Sequence, residues 1–286
     1  MRYEAPESLD AAVSLLAGAV GQARLLAGGT DLLVQLRAGV IEPELVVDIK
    51  KIPEVHQITV ENGGFRIGAA VTGAELGEHP GVKRMWPGVV EAVELIGSTQ
   101  IQGRATMVGN LCNASPAADS VPALIAAGAI VAVTGPGGRR EVPVEEICIA
   151  PGKTSLAKGE IVTSILLPAR PPRTGDAYLR FIPRTEMDIA VVGAGVSLTL
   201  DQGGTCTAAR VGLGAVAARP LMVTEAADAL IGTPVDHAAL ADLAAAASAA
   251  SRPIDDKRGT KEYRIKVAGV LARRAAEIAL ARAREN

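Results

Sequence analysis

The chain has 286 residues, 49% of them hydrophobic, with 29 Lys+Arg against 31 Asp+Glu, enough for two domains with sizeable cores. A net charge of −2 and only 2% aromatic residues argue against a nucleic-acid or anionic-membrane partner. No stretch reads as a transmembrane span, because even the alanine-rich run 238–250 is amphipathic and contains Asp242. The start, Met1-Arg2-Tyr3-Glu4-Ala5-Pro6, has no signal-peptide apolar segment, so a cytoplasmic chain is expected.

In chain order, Leu9, Val13 and Leu16 give residues 7–16 helical periodicity. Leu25-Leu26 predicts a strand, 31–37 a helix and 45–49 another strand, a βαβ pattern forming a first lobe of about 1–55. Ile58-Thr59-Val60 and the run 65–71 flank Glu61-Asn62-Gly63-Gly64 as a hairpin. Residues 89–96 and 121–127 read as helices, and 129–134 with 139–142 as a second hairpin around Gly135-Pro136-Gly137-Gly138. A strand over 160–167 closes a second lobe of about 56–168. The segment 169–176, Ala-Arg-Pro-Pro-Arg-Thr-Gly-Asp, is the best linker, with prolines against regular structure and arginines to keep it solvated. Strands are expected at 177–182, 190–200 and 206–213, then helices at 221–230, 237–251 and 260–284.

Two stretches hold most of the chemistry. Leu25-Leu26-Ala27-Gly28-Gly29-Thr30-Asp31 reads as strand, double-glycine turn and helix, with Thr30 as a natural N-cap and Leu32, Leu33 and Leu36 as the apolar side. Such a corner leaves amides free for a phosphate, although a plain strand-to-helix turn needs the same glycines. From Thr106 to Ala123 the chain passes through Gly109, Asn110, Asn113, Ser115 and Pro116 before Asp119 and Ser120, either of which could cap the following helix. This reads as a loop for a polar ligand lying along the backbone, or as ordinary turn residues.

Other signals are weaker. Cys112, Cys148 and Cys206 are too far apart for a zinc or iron–sulfur motif, and His56, His79 and His237 follow no ligand spacing. Gly212-Leu-Gly214-Ala-Val-Ala217 fits a dinucleotide fingerprint on paper, but Pro220 interrupts the helix it needs, so a glycine-rich strand end is the better reading. The stretch 256–264 reads as a solvated start to the last helix.

Taken together, Ala27-Gly28-Gly29-Thr30-Asp31, Arg104-Ala105-Thr106-Met107-Val108-Gly109-Asn110 and Ala114-Ser115-Pro116-Ala117-Ala118-Asp119 resemble the FAD-binding medium subunit of molybdenum hydroxylases. Carbon monoxide dehydrogenase and xanthine dehydrogenase belong to that family. One departure is visible: Val108 stands where the family has glycine, and its amide remains available if its dihedrals stay in the β region. The resemblance implies an α+β fold: a two-lobed PCMH-type FAD-binding domain over 1–168, a linker over 169–176, and a smaller α+β domain over 177–286 with a three-stranded sheet plus helices.

The implied cofactor is non-covalent FAD, held by Leu25, Ala27, Gly28, Gly29, Thr30, Asp31, Ile96, Thr106, Met107, Val108, Gly109, Asn110, Ser115, Asp119, Arg180 and Ile189. The pyrophosphate would meet the amides of 28–31 and 106–110, with Asp119 on ribose or adenine groups. Ile189 and Ile96 would flank the isoalloxazine, and Arg180 would lie near the flavin or its nucleotide channel. The implied function is electron transfer to NAD, a quinone or oxygen. Partners would be a molybdopterin-binding large subunit and a [2Fe-2S] small subunit, in a doubled heterotrimer. A stand-alone flavoenzyme of the same superfamily and a structural subunit with a degenerate site remain alternatives.

Overall fold

A computed structural model describes all 286 residues. Three short parallel strands open the fold: β1 (Arg2–Glu4), β2 (Ala23–Leu26) and β3 (Leu45–Asp48), in the order β1-β3-β2. Helix α1 (Leu9–Gly18), capped by the Ser8 hydroxyl, buries Leu9, Ala12, Val13 and Leu16. Helix α2 (Leu32–Arg37) follows the double glycine and buries none of its residues. The predicted Thr30 cap is absent: Asp31 occupies the cap position without a side-chain bond, and Leu33 is 55% exposed. The apolar side expected of α2 therefore has no core to face.

The second sheet is antiparallel, in the order β4-β5-β10-β6-β7. It pairs the hairpins β4 (Ile58–Glu61) with β5 (Gly64–Gly68) and β6 (Ile130–Gly135) with β7 (Gly138–Pro143), joined through β10 (Ile161–Leu167). Between the hairpins run α3 (Gly73–Glu78), α4 (Pro80–Met85), α5 (Pro87–Glu94), α6 (Thr99–Gln102), α7 (Met107–Cys112) and α8 (Ser120–Ala127). A small ribbon, β8 (Cys148–Ala150) with β9 (Lys153–Thr154), precedes β10. One continuous core joins α1 and β3 to the second sheet, from Leu9 to Leu167.

The 106–123 stretch is a loop only over 113–119, between two helices α7 and α8. Thr106 accepts from the Gly109 amide and starts α7, and Val108 is helical and buried rather than extended. Neither Asp119 nor Ser120 caps α8 with its side chain; the Asn110 amide oxygen accepts from the Ser120 amide at 3.1 Å and from its hydroxyl at 2.7 Å. Asn110 thus ties the two helices together.

Beyond residue 173 a second sheet-and-helix layer forms around its own core. Strands β11 (Thr174–Phe181), β12 (Val192–Leu200) and β13 (Cys206–Gly214) make a meander. A two-residue fourth strand, β14 (Leu221–Met222), lies on its edge where a helix was expected to begin. The helices are α9 (Thr224–Asp228), α10 (His237–Ala250) and α11 (Lys261–Glu285). Arg170, expected to be solvated, is 8% exposed at its side chain and paired with Asp176 at 2.9 Å. The start of α11 is also less solvated than expected: Arg264 is buried and donates to the Val191 carbonyl and to Asp256.

Candidate functional site

A cleft of about 760 Å³ separates the parallel sheet from α7 and the second sheet. That lies in the range of roughly 300–1,000 Å³ typical of ligand and cofactor sites. Its floor is made where the two sequence motifs meet. A Cβ on Gly28 would lie 2.0 Å from the Arg104 carbonyl oxygen, so only glycine lets the two backbones touch. Gly29 has φ +76°, in the left-handed region that favours glycine. The turn is braced from below by Lys50, whose ammonium donates to the Ala27 carbonyl at 3.1 Å and to both oxygens of Asp48 at 2.8 Å.

The amides from Gly28 to Leu32 find no acceptor within the protein, and neither does that of Val108 in the first turn of α7, whereas Met107 adjoins the Thr72–Thr106 backbone bridge. A short ladder of free donors on one side and a single helix-start amide on the other therefore border one cleft. Unpaired amides of this kind suit an anionic linker such as a pyrophosphate. Val108 serves here as a helix-start donor, so the substituted side chain points into the core while its amide stays free.

Of the residues singled out in the sequence, Leu25, Ala27, Gly28, Gly29, Thr30, Asp31, Ile96, Thr106, Val108, Gly109 and Asn110 line this cleft. Met107 is buried behind it. Ser115 is occupied with the Ala117 amide. Asp119 and Arg180 form a buried ion pair at 3.0 Å, and Ile189 is 53% exposed on a neighbouring loop. Burial pushes the Asp119 carboxyl up to about 6, with Arg180 and the Tyr178 hydroxyl pulling the other way.

Sequence reasoning missed several lining residues. Arg24, Gln35 and the segment of Ala157, Lys158 and Glu160 also line the cleft. Gln35 reaches across to the Asn113 side chain at 3.2 Å. Glu160 accepts two bonds from Arg140 at 2.8 Å and one from the Ala157 amide at 2.7 Å. The Arg140 bonds hold its carboxyl down at about 2, so the 157–160 wall stays pinned across ordinary pH. No motif marks 157–160, which the folding of β10 against β6 brings to the cleft, whereas Arg24 and Gln35 flank the glycine turn on β2 and α2. No group of three or more His, Cys, Asp or Glu side chains is placed to hold a metal, and no helix is long and apolar enough to cross a membrane.

A cleft bordered by free amides, with a glycine cradle and apolar walls, suits a ligand carrying a pyrophosphate linker, the class to which dinucleotide cofactors belong. The family model for the FAD binding domain in molybdopterin dehydrogenase matches residues 1–170, and that for the CO dehydrogenase flavoprotein C-terminal domain matches 177–279. The carbon monoxide dehydrogenase medium chain of Afipia carboxidovorans is 36% identical over 282 residues, 99% of this chain and 97% of that one. The xanthine dehydrogenase FAD-binding subunit of Escherichia coli O157:H7 is 31% identical, over 98% of this chain and 96% of that one. The structure of reconstituted CO dehydrogenase from Oligotropha carboxidovorans superposes with a TM-score of 0.94 at 36% identity, covering 99% of this chain and 98% of that one. The chain belongs to the family of FAD-binding medium subunits of molybdenum hydroxylases.

Proposed function

We propose that this chain is the electron-transfer subunit of a molybdenum-containing dehydrogenase, carrying non-covalent FAD between [2Fe-2S] clusters of a small subunit and an external acceptor. The observation that carries it is the set of free amides, 28–32 and 108, bordering one cleft in a chain of this family. FAD, when bound, supplies chemistry that accepts electrons singly and releases them in pairs. The chain's own residues bind and orient it. The amides of Gly28 to Leu32 and of Val108 would hold the pyrophosphate, and Leu25, Ala27, Gly29, Thr30, Asp31, Ile96, Thr106, Gly109 and Asn110 would shape the space around it. Met107, Ser115, Asp119, Arg180 and Ile189 would support that lining from outside it.

Within this reading the FAD domain spans 1–168, the link 169–176, and the C-terminal domain 177–286. A molybdopterin-binding large subunit would complete the assembly, as a doubled heterotrimer in the cytoplasm. The test is gentle purification of the native protein, followed by mass spectrometry, metal analysis and an absorption spectrum. The expected result is acid-extractable FAD together with two further chains, molybdenum and iron. A colourless chain that takes up no FAD on reconstitution overturns the cofactor assignment. A lone flavoprotein that turns over a small molecule unaided overturns the partners.

A further inference from the structure

Strand β11 alternates its side chains, and its polar set, Asp176, Tyr178 and Arg180, shares one face. Ala177, with Leu179 and Phe181 beside it, packs the other way into the C-terminal core. Along the polar face, β11 grips α5 at three successive points. The Asp176 carboxylate accepts from the Gly88 amide at 2.8 Å, the Tyr178 amide donates to Glu91 at 3.1 Å, and the Arg180 guanidinium donates to the Leu95 carbonyl at 2.7 Å. Gly88, Glu91 and Leu95 are three and four residues apart, which places them on one side of the helix. The Tyr178 side chain belongs to the N-terminal core.

The grip ends at a residue that matters to the cleft. Ile96, directly after Leu95, is part of the lining. On its far side the Gly97 carbonyl accepts from the Met187 amide at 3.3 Å. Met187 does this from a left-handed conformation, φ +53°, that a non-glycine residue rarely adopts. Its loop is fixed by Asp188, whose carboxylate accepts from Arg184 at 3.2 Å, Arg258 at 3.1 Å and the Ile189 amide at 2.8 Å. Ile96 is therefore bracketed on both sides by donors that belong to the C-terminal domain.

We propose that the C-terminal domain takes part in flavin binding by position, with Arg180 and the Met187 amide acting as positioning groups that fix the wall Ile96 presents to the cofactor. The buried Asp119 carboxylate orients Arg180 from the other side, at 3.0 Å. This rests on FAD occupying the cleft.

The test is a double-mutant cycle on the full chain, reading FAD dissociation constants by flavin fluorescence. If Arg180 acts through Ile96, then Arg180→Leu and Ile96→Ala each weaken FAD binding by about tenfold, and the double variant is no weaker than either alone, because neighbours that share one effect are not additive. The bound flavin's visible spectrum shifts in the same way in all three. Should Arg180→Leu alone fail to fold, the pair Asp119→Asn with Arg180→Leu removes the orphaned charge and serves in its place. Losses that multiply to about a hundredfold in the double variant, or an unchanged affinity in Arg180→Leu, overturn the proposal. A wild-type chain that takes up no FAD overturns instead the cofactor assignment on which it rests.

Discussion

Gly28 is the residue on which the cleft depends most directly. Its missing side chain lets β2's turn lie against the Arg104 carbonyl, and backbone cannot rotate away as a side chain can. Gly28→Ala is expected to separate the two backbones that border the cleft and abolish measurable FAD uptake, checked by reconstitution and absorption. Gly29→Val should be milder, because the obstructing atoms belong to the side chains of Leu26 and Leu33. The left-handed φ still costs about 1–3 kcal/mol, or roughly tenfold to a hundredfold in affinity by calorimetry. Asp119 makes a pH prediction of definite sign. Its folded value, about 6, stands above the unfolded one, so its contribution to stability is complete below about pH 4 and is lost as pH rises through about 6. In the apoprotein, the stability difference between wild type and Asp119→Asn should shrink by about 1–3 kcal/mol from pH 4 to 7 in denaturant titrations. A difference that grows with pH would mean that attraction to Arg180 outweighs burial.

At the scale of elements, the parts that announced themselves were those with strong local patterns. Both glycine-turn hairpins, the strand over 161–167 and the long last helix follow their periodicity. Helix α7 did not, because Gly109 and Asn110 are weak helix formers and its stability comes from the Thr106 cap and from burying Met107, Val108 and Leu111. Thr106→Val should cost about 0.5–2 kcal/mol of stability and Thr106→Ser much less, measured by thermal unfolding. Arg170 was misjudged for a different reason. Arginine between prolines reads as solvated, and nothing local reveals that Asp176 will fold back onto it. Burial raises Asp176 to about 6 and lowers Arg170, so for both partners desolvation exceeds attraction. Such a pair adds little net stability, yet removing one half leaves a buried charge. Asp176→Asn alone should destabilise by roughly 3–5 kcal/mol, and adding Arg170→Met should recover most of that, by denaturant unfolding.

For the whole molecule, the motifs located one side of the cleft and the assembled fold supplied the other. Lys158 and Glu160 carry no signature, and their arrival depends on strand pairings made over long sequence distances. The junction between the two cores was likewise invisible in the sequence, since Asp176, Tyr178 and Arg180 look like any alternating strand until α5 is laid against them.

The strand order of the second sheet also sets a timetable for the growing chain. The parallel sheet is complete once Asp48 has emerged from the ribosome, but β5 must leave one edge open until β10, ending at Leu167, is made. At about 5–20 residues per second the hairpin of β4 and β5 waits for seconds with unpaired backbone, a state prone to mispairing. The segment 157–160 reaches its place only when β10 pairs with β6, and Ile96 is held only after Met187 has followed Arg180 out. Flavin can therefore stabilise the chain only after β10 has paired, and cannot shield the waiting hairpin. A shortage of FAD during synthesis should lower the yield of loaded protein without changing how much of the polypeptide first folds.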